Sequence, residues 1–517
     1  MSRRPGETRL TKQRHPEQSL VGALDVGTTG VRFVLFDRSA RPVISAYREV
    51  PIATPKPGWV EQDPEMLFEA TREVLAEALA QSASYPVALA TVGLTNQRET
   101  VVVWDRGSGR PLHPAIVWQD RRTAARCEEL RGSAIAERVV ERTGLSVDPY
   151  FSATKIECLL GHVPGLQERA VEGTALFGTV DAWILQRLTG EHATDDTNAS
   201  RTMLYDIDRR AWDGDLLDAF GVPLACLPRV APSLSVFGRI APEFVAGADV
   251  PLAGILGDQQ AALLGQGAVL AGAAQVTWGT GAFLLMNTGN KRVRSRSRLL
   301  TTIARTDPDG SISYALEGSV FVAGAAIQWL RDGLGLLADA GDSEAMATSV
   351  DSTGGVVFVP ALTGLGAPHW DPGARGTIVG ITRGTRREHL VRAALEAIAY
   401  QTHDVVRAME TDVGSTLDEL RVGGGAASND FLCQFQADLL GIPVVRPGCS
   451  ETTALGAAFA AGIAVGLWDS VEAATGLLQE DRRFEPGMSL EARERLLEDW
   501  NRAVERAKGW ITETRLP

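Results

Sequence analysis

One order of predicted elements occurs twice in this chain, at positions about half its length apart. The first copy has a strand, a Gly-Thr-Thr-Gly turn and a second strand over 19–37. A third strand near 43–51 follows, and then an amphipathic helix that begins at Asp63-Pro64. Glycine on both sides of a short polar turn favours a tight hairpin, and Asp before Pro favours a helix start. This copy therefore predicts three successive strands and a helix.

The second copy begins with a strand, a Gly-Thr-Gly turn and a strand over 274–287. A third strand at 311–317 and a helix at 322–334 complete it. A repeated order of elements predicts two similar α/β lobes with a cleft between them. We place these lobes at 18–268 and 269–517, and we expect a disordered tail over 1–17.

Composition excludes several classes of function. The 517 residues are 44% hydrophobic, which suffices for large cores, and the formal net charge of −13 argues against nucleic-acid binding. The longest apolar run, 454–468, is shorter than the roughly 20 residues of a membrane helix, so we expect a packed core helix and no membrane span. Five Cys without a C-x-x-C pair favour a reducing, cytoplasmic location.

Lysine is rare in this sequence. The 51 basic residues include five lysines, namely Lys12, Lys56, Lys155, Lys291 and Lys508. None of them lies in G-x-x-x-x-G-K-[ST], the loop whose lysine reaches the phosphates of a nucleotide. A protein of this sequence that handles nucleotide phosphates would therefore bind them in another way.

The first Gly-Thr turn is a candidate phosphate site. Thr28, Thr29 and Gly30 would direct backbone N–H groups and hydroxyls at one point, which makes an anion-binding nest without lysine. Asp25, at the end of the preceding strand, would hold Mg²⁺ through water, and Arg32 would pair with phosphate. An ordinary hairpin explains the same residues when the turn is considered alone.

Two segments in the second half of the chain can also be interpreted either as ligand sites or as ordinary structural features. Thr280, in the Gly-Thr-Gly turn, would provide a matching nest from the other lobe. Gly425 and Asn429 lie in a loop between a strand and a helix, where glycine permits the backbone to approach a ligand closely. A plain turn and close helix–strand packing are the structural alternatives, and the loop lacks the G-x-G-x-x-G spacing of a dinucleotide site.

Asp258 and Gln259 follow a strand and open a helix of small residues. A carboxylate at a strand end, beside amides, suits a general base that accepts a hydroxyl proton. An N-cap role for Asp258 is the structural alternative.

Arg98 and Glu99 place a fork-shaped donor next to an acceptor, which suits a polyol. A surface ion pair is the alternative for this pair. Tyr150 and Trp118 would add a hydroxyl and an aromatic wall, or they would serve only in packing.

Eleven segments together resemble the FGGY carbohydrate kinases, a family of the actin-like ATPase superfamily, and within it the members that phosphorylate glycerol. The segments are GWVEQDP at 58–64, GLTNQRET at 93–100, IVWQDRRT at 116–123, DPYFSATK at 148–155, FGTVDAWI at 177–184, TDDTNASRTML at 194–204, GDQQAAL at 257–263, YALEGSVFVAGAAIQWLRD at 314–332, FVPALTGLGAPHWDP at 358–372, RGTIVGITRGT at 375–385 and TALGAAFAAG at 453–462.

The resemblance implies two RNase H-like lobes of mixed sheet with flanking helices, and an active site in the cleft between them. It implies ATP with Mg²⁺, glycerol as acceptor, and a homo-oligomer, either a dimer or a tetramer. Nucleotide-binding roles carry over to Thr28, Thr29, Gly30, Arg32, Thr280, Gly324, Gln328, Gly425 and Asn429. Polyol-binding roles carry over to Arg98, Glu99, Tyr150, Asp258, Gln259, Trp118 and Phe283. Asp258 also matches the catalytic base, and Asp25, through water, and Asp258 match the Mg²⁺ site.

The implied reaction is in-line transfer of the γ-phosphoryl group of ATP to a primary hydroxyl of glycerol, which gives sn-glycerol 3-phosphate and opens glycerol catabolism. One alternative is another kinase of the family, which acts on xylulose, ribulose, gluconate or erythritol. The other is a non-enzymatic, actin-like nucleotide switch. The Arg-Glu pair, DPYFSATK and GDQQ favour a three-carbon polyol, and a pure nucleotide switch would have no use for them.

The sequence departs from the family pattern at four positions. Val26 and Gly30 stand where Gln and Ser are frequent, Gly423 stands where Asp opens the glycine loop, and Trp278 replaces a Tyr. Gly30 removes a hydroxyl but keeps its backbone N–H, and Gly423 removes a carboxylate. We therefore expect a changed nucleotide affinity and an unchanged polyol pocket.

Overall fold

The structure is a computed structural model that describes residues 19–82 and 88–511. The tail predicted over 1–17 lies outside these residues. The strands before residue 258 are β1 (Ser19–Val26), β2 (Gly30–Phe36), β3 (Pro42–Glu49), β4 (Glu61–Gln62), β5 (Ala88–Asn96), β6 (Val101–Asp105), β7 (Ala115–Ile116), β8 (Ala175–Thr179), β9 (Ala193–Asp195), β10 (Tyr205–Asp206), β11 (Ala211–Trp212), β12 (Arg229–Ala231), β13 (Val236–Arg239) and β14 (Pro251–Gly257). The later strands are β15 (Ala274–Trp278), β16 (Ala282–Gly289), β17 (Leu300–Thr306), β18 (Ile312–Val320), β19 (Val357–Val359), β20 (Thr377–Val379), β21 (Leu420–Gly423), β22 (Val444–Pro447) and β23 (Glu480–Phe484).

Helices flank the sheets along the whole described chain. Those before residue 270 are α1 (Pro64–Ser82), α2 (Ala124–Arg131), α3 (Ala134–Thr143), α4 (Ser152–His162), α5 (Leu166–Val171), α6 (Val180–Thr189), α7 (Asp196–Ala199), α8 (Gly214–Ala219) and α9 (Asp258–Gly265). The later helices are α10 (Gly324–Asp332), α11 (Asp342–Thr348), α12 (Arg387–Val413), α13 (Asp430–Leu440), α14 (Thr452–Ala464), α15 (Val471–Thr475) and α16 (Leu490–Ala507). No helix within the described residues is long and apolar enough to cross a membrane.

Two large sheets share one order of six strands. Read from the third strand of each copy, the first sheet runs β3-β2-β1-β5-β14-β13, and the second runs β18-β16-β15-β21-β22-β23. The second sheet has a seventh strand, β17, beside β18. In each, an antiparallel trio (β1, β2, β3 or β15, β16, β18) is continued by parallel strands beside its first member. The repeat predicted from the element order is therefore confirmed, including the helices α1 and α10 after each third strand.

Strand β17 was absent from the predicted order. It lies between β16 and β18 in sequence, and it pairs antiparallel with the outer edge of β18. Its sequence, LTTIART, contains three threonines and has no regular apolar alternation. The expectation of three consecutive strands in the second copy was therefore incomplete, because an edge strand extends that sheet.

The small-residue run predicted as a core helix is α14, and it joins the two halves of the chain. Although α14 lies between β22 and β23 of the second sheet in sequence, it packs against β1, β5 and β14 of the first sheet and crosses α9. Glycines allow backbone-to-backbone contact at the crossing. A Cβ atom on Gly265 would lie 1.9 Å from the Thr452 carbonyl oxygen, and one on Gly456 would lie 1.8 Å from that of Ala261.

We expect Gly456→Ala to lower the free energy of unfolding by roughly 1–3 kcal/mol or more, because the added methyl group overlaps a backbone oxygen that cannot move alone. Denaturant unfolding measures the change. The matched control is Gly161→Ala in α4, an exposed helical glycine whose Cβ would meet nothing within 4 Å. Alanine there should be neutral or stabilising by up to about 1 kcal/mol. Equal effects of the two substitutions would contradict the close crossing.

Candidate active site

Three strand ends meet at one edge of the first sheet. β1 and β14 both run parallel to β5, and the last residue of each is in register with Asn96. Ligands of open α/β sheets bind outside the carboxyl ends of such strands. The parallel register therefore brings Asp25, Arg98 and Asp258 to the same end of the sheet, although they are far apart in sequence.

The chain bends sharply after β5 at Glu99, whose φ of 63° lies in the left-handed region. A residue with a side chain adopts this conformation rarely, so contacts must hold it there. Ser152 Oγ and Lys155 Nζ donate to the Glu99 carbonyl oxygen at 3.2 and 3.3 Å. Lys155 also donates to the Tyr150 carbonyl oxygen at 2.6 Å, and burial lowers the pKa of this lysine to about 8. Lys155 thus fixes the backbone of two residues predicted to bind the polyol.

Arg98 is buried, and each end of its guanidinium is occupied. Its Nε lies 3.1 Å from Asp258 Oδ1, and its Nη1 and Nη2 donate to the two carboxylate oxygens of Glu317 at 2.7 and 3.0 Å. Nη1 also lies 3.3 Å from Gln260 Oε1. Arg98 and Glu99 are 3% and 1% exposed, so the alternative of a surface ion pair is wrong.

A second buried arginine completes this network. Arg201 donates from Nε to Glu99 Oε1 at 2.7 Å and from Nη2 to Glu317 Oε1 at 2.9 Å. Burial favours the neutral form of Glu317, but Arg201 and Arg98 outweigh it and hold the pKa of Glu317 below its ordinary value. Three carboxylates therefore surround two guanidinium groups at the base of the site.

An aromatic wall lies beside these charges. The rings of Trp118 and Tyr150 have centroids 5.6 Å apart, and those of Trp118 and Phe283 are 6.1 Å apart, both in edge-to-face arrangements. Two of these rings belong to the first half of the chain, and Phe283 lies on β16 of the second sheet. The wall therefore spans the cleft between the sheets.

Asp258 is the first residue of α9, and Gly257 occupies the N-cap position, so the N-cap explanation for Asp258 is wrong. Its side chain is 32% exposed, which leaves the carboxylate open to the cleft. Burial raises the pKa of Asp258 to about 6, and Arg98 opposes this rise. The adjacent Gln259 is 7% exposed, and its Oε1 has no hydrogen-bond partner among the described residues, which suits an acceptor reserved for a ligand hydroxyl.

The Gly27–Gly30 turn closes through a backbone hydrogen bond of 3.0 Å and leaves Thr29 exposed. Trp118 Nε1 donates to Thr28 Oγ1 at 2.9 Å, which joins the phosphate-binding candidate to the aromatic wall. Because the indole nitrogen is the donor, the Thr28 hydroxyl keeps its own proton for another acceptor.

Gly30 and Arg32 have specific neighbours on β3 and at the start of α14. A Cβ atom at position 30 would lie 2.5 Å from the Arg48 carbonyl oxygen and 2.4 Å from Tyr47 Oη, so the backbone of β3 leaves no room for the serine side chain. The guanidinium of Arg32 forms an ion pair with Glu451 and lies 5.2 Å from the Tyr47 ring centroid. The structure thus places Arg32 beside the turn, with a carboxylate as its partner.

Asp25 is part of an acidic cluster that suits a divalent cation. Burial, Asp258 and Glu451 together raise the pKa of Asp25 to about 7, against the opposing charge of Arg32. Among residues 19–82 and 88–511, no group of three or more His, Cys, Asp or Glu side chains could hold a metal ion by itself. Mg²⁺ retains waters and takes phosphate oxygens from its substrate, so two carboxylates such as Asp25 and Asp258 would be compatible with it.

The second turn lies against the N-terminus of α10. The backbone N–H of Gly324 donates to the Gly279 carbonyl oxygen at 2.9 Å, and that of Ala325 donates to the Thr280 carbonyl oxygen at 3.0 Å. A Cβ atom on Gly324 would lie 2.7 Å from the Gly279 oxygen, so glycine is required for this contact. Thr280 and Gln328 are both exposed, and the hydrogen bonds bring their segments together.

The glycine-rich loop lies beside the same strand end. A Cβ atom on Gly424 would lie 2.5 Å from the Trp278 carbonyl oxygen, and Gly425 is exposed. Asn429 caps α13 by accepting from the Leu432 N–H at 2.9 Å. The nucleotide-binding candidates of the second half therefore share one edge of the second sheet.

Gly423, where the family has Asp, is covered by a neighbouring amide. A Cβ atom at this position would lie 2.7 Å from Gln266 Nε2. The Gln266 side chain donates to Gln275 Oε1 at 3.0 Å. The space that an aspartate side chain would need is therefore filled by this amide pair.

Sequence reasoning did not assign roles to Arg201, Glu317 or Glu451, and it left Lys155 unexplained. Arg201 and Glu317 lie inside two of the family-like segments. Glu317 stands in the middle of the strand ISYALEGSV, and a charged residue at a position expected to be buried was the available signal.

Two family models match the chain. The N-terminal domain of the FGGY family of carbohydrate kinases matches residues 20–265, and the C-terminal domain of the same family matches residues 274–465. The chain therefore belongs to the FGGY family of carbohydrate kinases.

Its curated relatives include glycerol kinases. The chain is 53% identical to the glycerol kinase of Carboxydothermus hydrogenoformans over 95% of its own length and 98% of that protein. It is 52% identical to glycerol kinase 2 of Thermotoga maritima over 94% and 98% of the two chains.

Solved structures of the family have the same fold. A crystal structure of Plasmodium falciparum glycerol kinase with ADP has a TM-score of 0.90 and 35% identity, and it covers 95% of this chain and 98% of that one. A xylulose kinase from Rhodospirillum rubrum has a TM-score of 0.80 and 25% identity, over 93% and 98% of the two chains. The predicted α/β fold with two actin-like lobes is confirmed.

The hydrogen bond between Trp118 and Thr28 can be tested by a double-mutant cycle. Trp118→Phe removes the indole donor and Thr28→Val removes the hydroxyl, so we expect the two losses in unfolding free energy to be coupled by about 1 kcal/mol. Denaturant unfolding of the single and double variants measures this coupling. Thr29→Val is the control, because that exposed hydroxyl does not contact Trp118. Additive losses for Trp118→Phe and Thr28→Val would contradict the contact.

Proposed function

We propose that this chain is an ATP-dependent glycerol kinase that forms sn-glycerol 3-phosphate, the entry step of glycerol catabolism. The observation that carries the proposal is 53% identity to a glycerol kinase over nearly the full length of both chains. The buried set of donors and acceptors at the ends of β5 and β14 supports the same conclusion.

The chemistry of the pocket suits a small polyol. Arg98 is a donor, Glu99 and Asp258 are acceptors, and the unpartnered Oε1 of Gln259 adds a further acceptor. Tyr150, with Trp118 and Phe283, supplies an apolar wall for the carbon atoms. Glycerol has a hydroxyl on each of its three carbons, and its polar hydroxyls and apolar C–H groups match a site that is charged on one side and aromatic on the other.

Asp258 is the proposed general base. It accepts the proton of a primary hydroxyl of glycerol while that oxygen attacks the γ-phosphorus of ATP in line. The new O–P bond forms as the bond from the γ-phosphorus to the bridging oxygen breaks, and ADP leaves with that oxygen. Arg98, 3.1 Å from Asp258, favours the ionised carboxylate and fixes its direction.

Residues of both sheets would hold the nucleotide. The proposed contacts are Thr28, Thr29, Gly30 and Arg32 from the first half, and Thr280, Gly324, Gln328, Gly425 and Asn429 from the second. Asp25, through water, and Asp258 would hold Mg²⁺, which supplies neutralisation of phosphate charge. Positioning and charge neutralisation account for most catalysis of phosphoryl transfer.

The remaining proposals concern organisation. We assign the lobes to 18–268 and 269–517, which is supported by the gap between the two matching family models. A cytoplasmic location is supported by five free cysteines. Assembly into a dimer or tetramer remains a prediction from the family.

A substrate panel tests the proposed activity. With ATP and Mg²⁺, we expect release of ADP to require glycerol and to have a kcat/KM for glycerol at least about 100-fold above those for xylulose, ribulose, gluconate and erythritol, because the site pairs each hydroxyl of a three-carbon polyol. A coupled ADP assay measures this. A higher value for any of the sugars would favour the alternative kinases, and nucleotide binding without any turnover would favour a switch.

The role of Asp258 predicts that Asp258→Asn lowers kcat by a factor of about 10²–10⁴, because the amide cannot accept the hydroxyl proton. Glycerol binding, measured by calorimetry, should persist, since the amide keeps the size of the side chain. The control is Asp249→Asn, a carboxylate that is 75% exposed. A kcat for Asp258→Asn near that of the parent protein would exclude Asp258 as the base.

A further inference from the structure

Five charged groups form one connected cluster beneath the proposed polyol site. They are Arg98, Arg201, Glu99, Glu317 and Asp258, and all but Asp258 have side chains at most 2% exposed. Desolvated charges are costly unless they are paired, and loss of one partner leaves the others uncompensated. Each member of the cluster therefore constrains the positions of the others.

Glu317 has the central position in this cluster. It accepts from both Nη atoms of Arg98 and from Nη2 of Arg201. Of the three carboxylates, only Glu317 has hydrogen bonds of 3.0 Å or less to both arginines. Glu99 lies 2.7 Å from Arg201 but 3.9 Å from Arg98. A bidentate carboxylate fixes the plane of a guanidinium.

The origin of Glu317 differs from that of its partners. It lies on β18 of the second sheet, whereas the other four residues precede β15 in sequence. Its hydrogen bonds to Arg98 join residues 219 positions apart. The orientation of a proposed substrate-binding arginine on one side of the cleft is thus set by a carboxylate from the other.

We infer that Glu317 is a positioning residue of the polyol site: by holding both Nη atoms of Arg98, it directs Nε towards Asp258 and so makes glycerol binding depend on the second sheet. This inference rests on the proposed function, in which Arg98 binds glycerol.

The charges predict what happens when Glu317 is neutralised. Glutamine has the same size, but its amide NH₂ group would face one guanidinium nitrogen, so one charge-assisted hydrogen bond is lost. Arg98 is then free to turn its Nη atoms towards Asp258 or Glu99, the remaining acidic neighbours. Either movement takes the guanidinium away from the geometry that faces the substrate, while the nucleotide residues keep their surroundings.

The experiment compares the intact wild-type protein with Glu317→Gln and Glu317→Asp. In Glu317→Gln we expect the KM for glycerol to rise by about tenfold or more, the effect of one lost charge-assisted hydrogen bond, and the KM for ATP to stay within about twofold. Glu317→Asp keeps the charge and should restore part of the glycerol affinity. The rise in melting temperature that glycerol produces should be largest for the wild-type protein, smaller for Glu317→Asp and smallest for Glu317→Gln.

Glu396→Gln is the matched control. Glu396 is a buried carboxylate on α12, and the Nε of the partly buried Arg392 on the same helix lies 2.9 Å from its Oε1. Its substitution should lower the melting temperature without changing the KM for glycerol. If Glu317→Gln lowers the melting temperature but leaves that KM within about twofold, or raises both KM values equally, the inference is wrong.

Failure of the proposed function is distinguishable, because then the wild-type protein itself would neither phosphorylate glycerol nor be stabilised by it. If Glu317→Gln does not fold, Glu317→Asp decides: an unchanged KM for glycerol in that variant overturns the inference, and a raised KM with an unchanged KM for ATP supports it.

Discussion

The backbone contact between α9 and α14 is the constraint on which the rest of this structure depends. Each helix can approach the other only because Gly265 and Gly456 lack side chains. The two helices also deliver acidic groups to one place, since α9 begins with Asp258 and Glu451 directly precedes α14. These two buried glycines therefore constrain the separation of the carboxylates of Asp258 and Glu451, at the place where we propose that the cation and the phosphate groups bind.

Features that depend on local chemistry could be predicted from the sequence. The Gly-Thr turns, the helix start at Pro64 and the small-residue helix α14 each follow from nearby residues, and the structure confirms all three. The edge strand β17 could not be predicted in the same way, because its threonine-rich sequence carries no distinct period and it is defined by its pairing with β18.

The residues that line the candidate site could be predicted from the sequence, but the buried contacts that hold them in place could not. Arg98 and Asp258 are polar residues that directly follow predicted strands, and Tyr150 is an aromatic residue with a hydroxyl. All three lie in segments that resemble the family, so the sequence identifies them as candidates. The pairing of Arg98 with Glu317 joins positions 219 residues apart, and no local pattern reports such a contact. Lys155 shows the same limit, since its task is to hold two backbone carbonyl oxygens, and side-chain identity alone does not reveal that.

The hydrogen bond from Trp118 to Thr28 has a practical consequence. The indole belongs to the aromatic wall of the proposed polyol pocket and donates to the hydroxyl of the proposed phosphate turn. Its emission is therefore sensitive to the polarity at both places. Trp118 is one of 11 tryptophans, so the difference between the emission of the parent protein and that of Trp118→Phe would register arrival of either substrate, and its response to one substrate in the presence of the other would report the order in which the cleft is filled.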